Sequence, residues 1–252
     1  MLRGAGKGLG LKNTIRGIIF DLDGTLLDTE FLSIKAINTV LAAHGGTGSW
    51  SVSDHLGIIG MKGADWTRKV LAKVGDLLPP LDLEREWERT LGTLLHEAAP
   101  LPGAAELVAR LGAQGCGAAL AIATSSNASA VAQKRIGHED MFDAMASITT
   151  GNEVQNGKPA PDIFLLAAQR LNLPPAACLV VEDSPAGVSA AKAAGMRVVA
   201  VPHAAMVPAQ VASSFADADL VLQTLSEWPF EDDAFQWNAA SVGGGGSGVD
   251  GS

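Results

Sequence analysis

The chain has 252 residues, 47 % of them hydrophobic, which is enough to bury the core of one large domain or of a core with a small companion and argues against global disorder. Its net charge of −9 argues against nucleic acid or an anionic membrane surface as a partner, and no apolar run is long enough for a transmembrane helix. An anionic substrate would therefore need local attraction from a metal, a lysine or backbone N–H donors.

Residues Met1–Asn13 place Arg3, Lys7 and Lys12 among glycines without an apolar central block, so they read as a flexible tail, with the end of a cleaved transit peptide as the alternative. The next segment, Gly17–Asp21, is too short for a helix and too apolar for a surface strand, and it reads as a buried parallel strand. It ends in Asp21-Leu22-Asp23-Gly24-Thr25. Ligands of open α/β sheets sit at the carboxyl ends of such strands. Two carboxylates there can hold a metal or do chemistry, one attacking phosphorus and the other carrying a proton, although a bare pair also suits a solvated turn.

From Glu30 to Pro100 the pattern becomes helical (Ile34, Ala36, Ile37, Val40, Leu41; then Trp66, Val70, Leu71, Val74), with no convincing strand. A small helical domain over the active end of the sheet is expected, because both chain crossings, near Asp28–Glu30 and Pro100–Gly103, flank the acidic pair. Strand and helix signals then alternate. Strands are expected over Gly117–Thr124, Ala144–Thr149, Cys178–Glu182, Arg197–Val201 and Asp219–Leu222, and helices over Ala104–Gln114, Pro161–Leu171 and Pro185–Ala194. This alternation predicts an α/β fold, a doubly wound parallel sheet with helices on both faces and the helical block inserted after the first strand.

Three more segments carry chemistry. The strand ending Thr124-Ser125-Ser126-Asn127 opens into hydroxyls and N–H groups that suit a phosphate or a helix N-cap. Lys158, in Gly157-Lys158-Pro159-Ala160-Pro161-Asp162, precedes a proline-initiated helix and is either a surface lysine or a cation of the site. Held about 4 Å from a phosphoryl oxygen it would contribute roughly 4 kcal/mol at an effective dielectric near 20. Glu182 and Asp183 end another apolar strand as hard oxygen ligands suited to Mg²⁺, or as acidic residues at a helix start. The histidines at 44, 55, 96, 138 and 203 show no ligand spacing. Cys116 and Cys178 open apolar runs and are expected as buried thiols in a reducing compartment.

Taken in order, Asp21-x-Asp23-Gly24-Thr25, Thr124, Lys158 and Glu182-Asp183 resemble the four motifs of the haloacid dehalogenase-like hydrolases, a Rossmann-like fold. The block from Gly157 to Pro202 resembles the phosphoglucomutase-like and GS1-like branch with a helical cap. The resemblance implies a flexible tail over 1–13, a core over 14–29 and 101–238, a cap over 30–100 and a flexible Gly/Ser tail over 239–252. It implies a Mg²⁺-dependent phosphatase with Asp21 as nucleophile and Asp23 as acid and base. Asp21, the Asp23 carbonyl and Asp183 would hold the metal, with Glu182 direct or through water. Thr124, the Ser125 N–H and Lys158 would bind the phosphoryl group.

Mutases of this branch carry a cap-helix histidine where this chain has Ser33, which favours hydrolysis. The implied substrate is a small phosphomonoester, glycerol 3-phosphate or a similar polyol phosphate first. Pseudouridine 5′-phosphate or FMN come next, then sugar-phosphate mutase activity, then a non-catalytic phosphate-binding module. The segment Gly60-Met61-Lys62-Gly63-Ala64-Asp65-Trp66 resembles the cap segment of the GS1-like group. It offers Lys62, solvated or reaching the substrate, and Trp66, a core residue or a stacking platform. A monomer in the cytoplasm is expected, with an organelle such as the chloroplast as the alternative.

Overall fold

A computed structural model of the chain describes residues 15–58, 64–113 and 117–229. The expected tails, Lys62 and Cys116 lie outside the described residues.

The chain opens with β1 (Gly17–Phe20), then β2 (Leu27–Asp28), four helices α1 (Glu30–Ala43), α2 (Val52–Leu56), α3 (Ala64–Val74) and α4 (Pro80–Leu94), and β3 (Ala99–Pro100). It continues through α5 (Ala104–Ala113), β4 (Ala119–Thr124), α6 (Ala128–Arg135), α7 (Glu139–Asp143), β5 (Ser147–Thr150), α8 (Asp162–Arg170) and β6 (Cys178–Glu182). Last come α9 (Pro185–Ala193), β7 (Arg197–Ala200), α10 (Pro208–Ser214) and β8 (Leu220–Val221).

Six strands form one sheet in the order β5-β4-β1-β6-β7-β8, every pair parallel. The first strand lies near its centre, hydrogen-bonded on both sides, and Ile18, Ile19 and Phe20 are fully buried. Alternation divides the core into two layers. Ile18, Phe20, Ile122, Leu179 and Val181 face α5 and α7, where Leu107, Val108 and Phe142 cover them. Ile19, Ala121, Ala123, Val180 and Val198 face α8 and α9, against Ile163, Phe164, Ala167 and Ala190. Cys178 is a free thiol in this second layer, and burial pushes its pKa up to about 11, which disfavours the thiolate.

The expected elements are present with shifted ends. The strand expected over Ala144–Thr149 begins only at Ser147, because Glu139–Asp143 closes into α7, and the Ala144 and Met145 N–H groups turn back to the carbonyls of Asp140 and Phe142 respectively. The strand expected over Asp219–Leu222 shrinks to two residues; the Asp219 carboxylate accepts the Val198 N–H at 2.7 Å, a bond that a longer ladder would have used. Pro161 caps α8 instead of starting it. Gly195 stands at φ +75° just past α9, and the Met196 N–H returns to Ala191 O, closing the helix in a Schellman arrangement.

Helices α1 to α4 pack on each other. Ile37, Leu41, Trp50, Val70, Leu71 and Leu83 form a hydrophobic cluster separate from the two sheet layers. The chain enters and leaves this block through a two-stranded antiparallel ribbon that pairs Leu27 with Pro100 and Asp28 with Ala99. Among the described residues no helix is long and apolar enough to cross a membrane.

Candidate active site

The parallel register sets the carboxyl ends of β4, β1 and β6 side by side, so the residues that follow them meet at one edge of the sheet. Asp21 extends the β1 ladder by one bond, its N–H reaching Val181 O at 2.9 Å. The chain then turns sharply, and Gly24 at φ +80° donates to Leu27 O at 2.9 Å. A Cβ on Gly24 would stand 2.3 Å from Asp183 Oδ2, so only glycine allows this turn and the close approach of Asp183 together. Thr25 Oγ1 donates to Asp183 Oδ1 at 3.3 Å.

Lys158 lies at the centre of this edge, 8 % exposed, although it is distant in sequence from its partners. It donates to Asp21 Oδ1 and, at 2.7 Å, to Glu182 Oε1, and its ammonium stands 5.0 Å from the centre of the Phe164 ring. Glu182 has protein donors on both oxygens. Its Oε2 accepts the Ser184 N–H at 2.6 Å and the Ser184 hydroxyl at 2.9 Å, which ties it to the start of α9.

Carboxylate oxygens of Asp21, Glu182 and Asp183 all lie within 4.8 Å of one another. Three carboxylates thus share one ammonium in a desolvated place, and their pKa values record it. Burial pushes Asp21 up to about 7 against the pull of Lys158, with Glu182 and Asp23 adding repulsion. Burial, then Glu182 and Asp21, raise Asp183 well above the carboxylate range. Burial alone would lower Lys158, but Asp21 and Glu182 outweigh it and raise its pKa. This excess negative charge on hard oxygen donors fits a divalent cation such as Mg²⁺.

Asp23, close enough to add repulsion at Asp21, has partners of its own. Its carboxylate is not part of the three-carboxylate cluster. Oδ2 accepts the hydroxyls of Thr124 at 3.0 Å and Ser126 at 2.8 Å, and Oδ1 is bonded by Lys134. Burial would raise its pKa, but Lys134 and the two hydroxyls win and hold it below the usual value. As a metal ligand Asp23 therefore has only its backbone carbonyl to offer in this arrangement. Thr124 is buried at the end of β4, and its hydroxyl also accepts the Ser126 N–H at 3.0 Å. Ser125 is exposed beside it, its carbonyl only 2.1 Å from where a Cβ on Gly151 would stand, so β4 and β5 close tightly there.

The sequence expectations do not include Lys134. The signal for it is helical: Val131 and Lys134 are the buried residues of α6, three apart, so the lysine shares the inward face of the helix. Trp66 corrects the stacking alternative. Its ring is 8 % exposed and packs edge-on to Trp87 at 5.0 Å between centroids, inside the core of the helical block. Ser33 is buried on α1.

One expected result belongs to this geometry. A Cβ on Gly187 would lie 1.8 Å from Glu182 Oε1. Gly187→Ala must therefore displace Glu182 from Lys158 and Ser184. The expected cost is about 1–3 kcal/mol of stability, read as a lower urea midpoint at unchanged slope, together with a fall in turnover. A variant as stable and active as the parent would show that Glu182 does not set the position of Lys158.

The comparisons with known proteins agree with this geometry. A family model described as haloacid dehalogenase-like hydrolase matches residues 15–195. A probable pseudouridine-5′-phosphatase of Drosophila melanogaster is 37 % identical over 189 residues, covering 73 % of this chain and 80 % of that protein. The mitochondrial (DL)-glycerol-3-phosphatase 1 of Arabidopsis thaliana is 35 % identical over 229 residues, 88 % of this chain and 74 % of its own length. The crystal structure of CbbY from Rhodobacter sphaeroides in complex with phosphate superposes with a TM-score of 0.64 at 30 % identity, covering 84 % of this chain and 96 % of that one. With the sheet order, the clustered carboxylates and these matches together, the chain belongs to the haloacid dehalogenase-like hydrolases and is an enzyme of that family.

Proposed function

We propose that this enzyme is a Mg²⁺-dependent phosphatase that hydrolyses a small phosphomonoester, glycerol 3-phosphate or a similar polyol phosphate, through a phosphorylated Asp21. The observation that carries the reading is the setting of Asp21: buried at the end of the central strand, paired with Lys158 and adjacent to two further carboxylates. A buried aspartate without a cation would take up a proton and lose its nucleophilicity; Lys158 opposes that loss.

In the proposed cycle Asp23 first takes up a proton against the pull of Lys134 as the anionic substrate binds, and an Asp21 oxygen then attacks phosphorus while Asp23 delivers that proton to the departing alcohol oxygen. Asp23, now a carboxylate, takes a proton from a water that attacks the aspartyl-phosphate, which releases phosphate and restores Asp21. Lys158 and the hydroxyl and N–H groups of Thr124 and Ser125 would bind the phosphoryl oxygens. Asp21, Asp183 and the Asp23 carbonyl would hold Mg²⁺, which when bound neutralises charge on the phosphoryl group. Both oxygens of Glu182 already have protein donors, so its role is to position Lys158. We assign residues 30–100 as a cap that excludes bulk water during attack, joined to the core by the β2–β3 ribbon.

One observation favours a polyol phosphate over a nucleotide: Trp66 lies in the core of the cap, so it offers no platform for a base. Ser33 at the mutase histidine position favours hydrolysis over transfer. Phosphate release should be measured with glycerol 3-phosphate, pseudouridine 5′-phosphate, FMN and a hexose 1-phosphate. The expected order places glycerol 3-phosphate at least about tenfold above the nucleotides in kcat/KM, a difference of roughly 1.4 kcal/mol in transition-state binding. The reverse order would reassign the substrate, and hexose 1-phosphate converted to 6-phosphate with little phosphate released would restore the mutase.

A further inference from the structure

Lys134 is the group of this site that the proposed cycle leaves without a task. Its side chain is 3 % exposed, and an ammonium is buried that deeply only at a cost that close partners must offset. Those partners are Asp23 Oδ1 and, at 2.7 Å, Ser126 Oγ. Ser126 in turn donates to Asp23 Oδ2 at 2.8 Å, so lysine, serine and aspartate close a ring. Asp23 itself is bridged to Leu27 just before a tight turn, its side chain 29 % exposed, with a glycine next in the chain. Its carboxylate is held by the ring and by Thr124. The anchor of the ring is a helix packed into the sheet core through Val131.

The hydroxyl of Thr124 adds a second consideration. It has one proton, and in this structure that proton goes to Asp23 Oδ2 at 3.0 Å. If Thr124 is to donate to a phosphoryl oxygen it must release Asp23. Asp23 then keeps only Lys134 and Ser126. An acid or base must lie within hydrogen-bond reach of the reacting proton, and a displacement of about 1 Å can cost about 10²-fold. We propose that Lys134 is the positioning residue of the acid–base step: through Ser126 and directly, it sets the place of the Asp23 carboxylate while Thr124 changes partners from Asp23 to the substrate. This role rests on the phosphatase reading and adds to it a residue outside the four motifs.

The test uses the different demands of two leaving groups. A p-nitrophenolate departs without a proton, so phosphorylation of Asp21 by p-nitrophenyl phosphate does not need Asp23, whereas an alkyl phosphate such as glycerol 3-phosphate does. Lys134→Gln should retain the burst of p-nitrophenolate within about threefold and lose about 10- to 100-fold in steady-state turnover of the alkyl ester. Ser126→Ala should show the same pattern with a smaller loss, and it carries the test if Lys134→Gln does not fold. In an Asp23→Ala background, Lys134→Gln should cost less than about twofold more, because residues acting as one unit are not additive. A burst reduced as much as the turnover, an undiminished additive loss in the Asp23→Ala background, or parental turnover of the alkyl ester in both variants would overturn the role. A parent enzyme that releases phosphate from neither ester would instead overturn the phosphatase reading, and this role with it.

Discussion

Asp21→Asn is expected to abolish turnover while the chain stays folded. The amide keeps the shape of the carboxylate but cannot form an acyl-phosphate under neutral conditions, so the loss should be at least about 10⁴-fold in kcat, as when a covalent nucleophile is removed elsewhere. The fold should tolerate the change because the buried charge is itself a burden: burial is the leading cause of the raised pKa of Asp21, and Glu182 and Asp23 add repulsion. Lys158 loses one partner and keeps Glu182 at 2.7 Å. The melting temperature should therefore remain within a few degrees of the parent. Phosphate release measures the first expectation, and mass spectrometry of the enzyme mixed with substrate should show an added phosphoryl group in the parent and none in the variant. Activity within tenfold of the parent would remove covalent catalysis at Asp21.

Chelation should produce the second large effect, in stability as well as in rate. EDTA should suppress phosphate release and Mg²⁺ should restore it. The independent readout is thermal unfolding. In the metal-free protein Asp21 titrates near 7 instead of the ordinary 3.8, and Asp183 is shifted in the same direction. Between those values the folded chain binds more protons than the unfolded chain, so stability falls as pH rises from about 4 through about 7, and Asp183 acts in the same direction. A bound divalent cation supplies the missing positive charge and opposes that fall. At a Mg²⁺ concentration of 100 times Kd, linkage gives about 2.7 kcal/mol, or roughly 5–10 °C for a chain of this size. The gap between melting temperatures with Mg²⁺ and with EDTA should widen from pH 5 to pH 7.5. Equal melting temperatures across that range would show that Asp21 and Asp183 do not hold the metal.

Most of the site could be read along the chain because its signals are local. An apolar run that ends in acid, such as Gly17 to Asp21 or Cys178 to Asp183, shows a strand and its cargo together. The structure places both at adjacent strand ends. The order of acid, hydroxyl, lysine and acid along the chain was likewise visible, as was the helical run inserted after the first strand. Less legible were the residues whose meaning depends on a distant partner. Lys134 looks like one more charge on a helix, and its partner Asp23 is 111 positions away. Trp66 satisfies a core pattern and a stacking pattern equally well until Trp87 is placed beside it.

Composition and order along the chain thus determined the layered α/β fold, the identity of the family and the cast of the site, since apolar runs, turn glycines and paired carboxylates carry their physical consequences in their neighbours. Only the tertiary structure decided which side chains pair. Asp23 is bonded to Lys134 and the hydroxyls of Thr124 and Ser126, and Glu182 is bound on both oxygens to Lys158 and Ser184. The reason is that a buried charge takes the orientation of whichever opposite charge or donor packing brings within 3 Å, and that proximity is a property of the folded sheet edge.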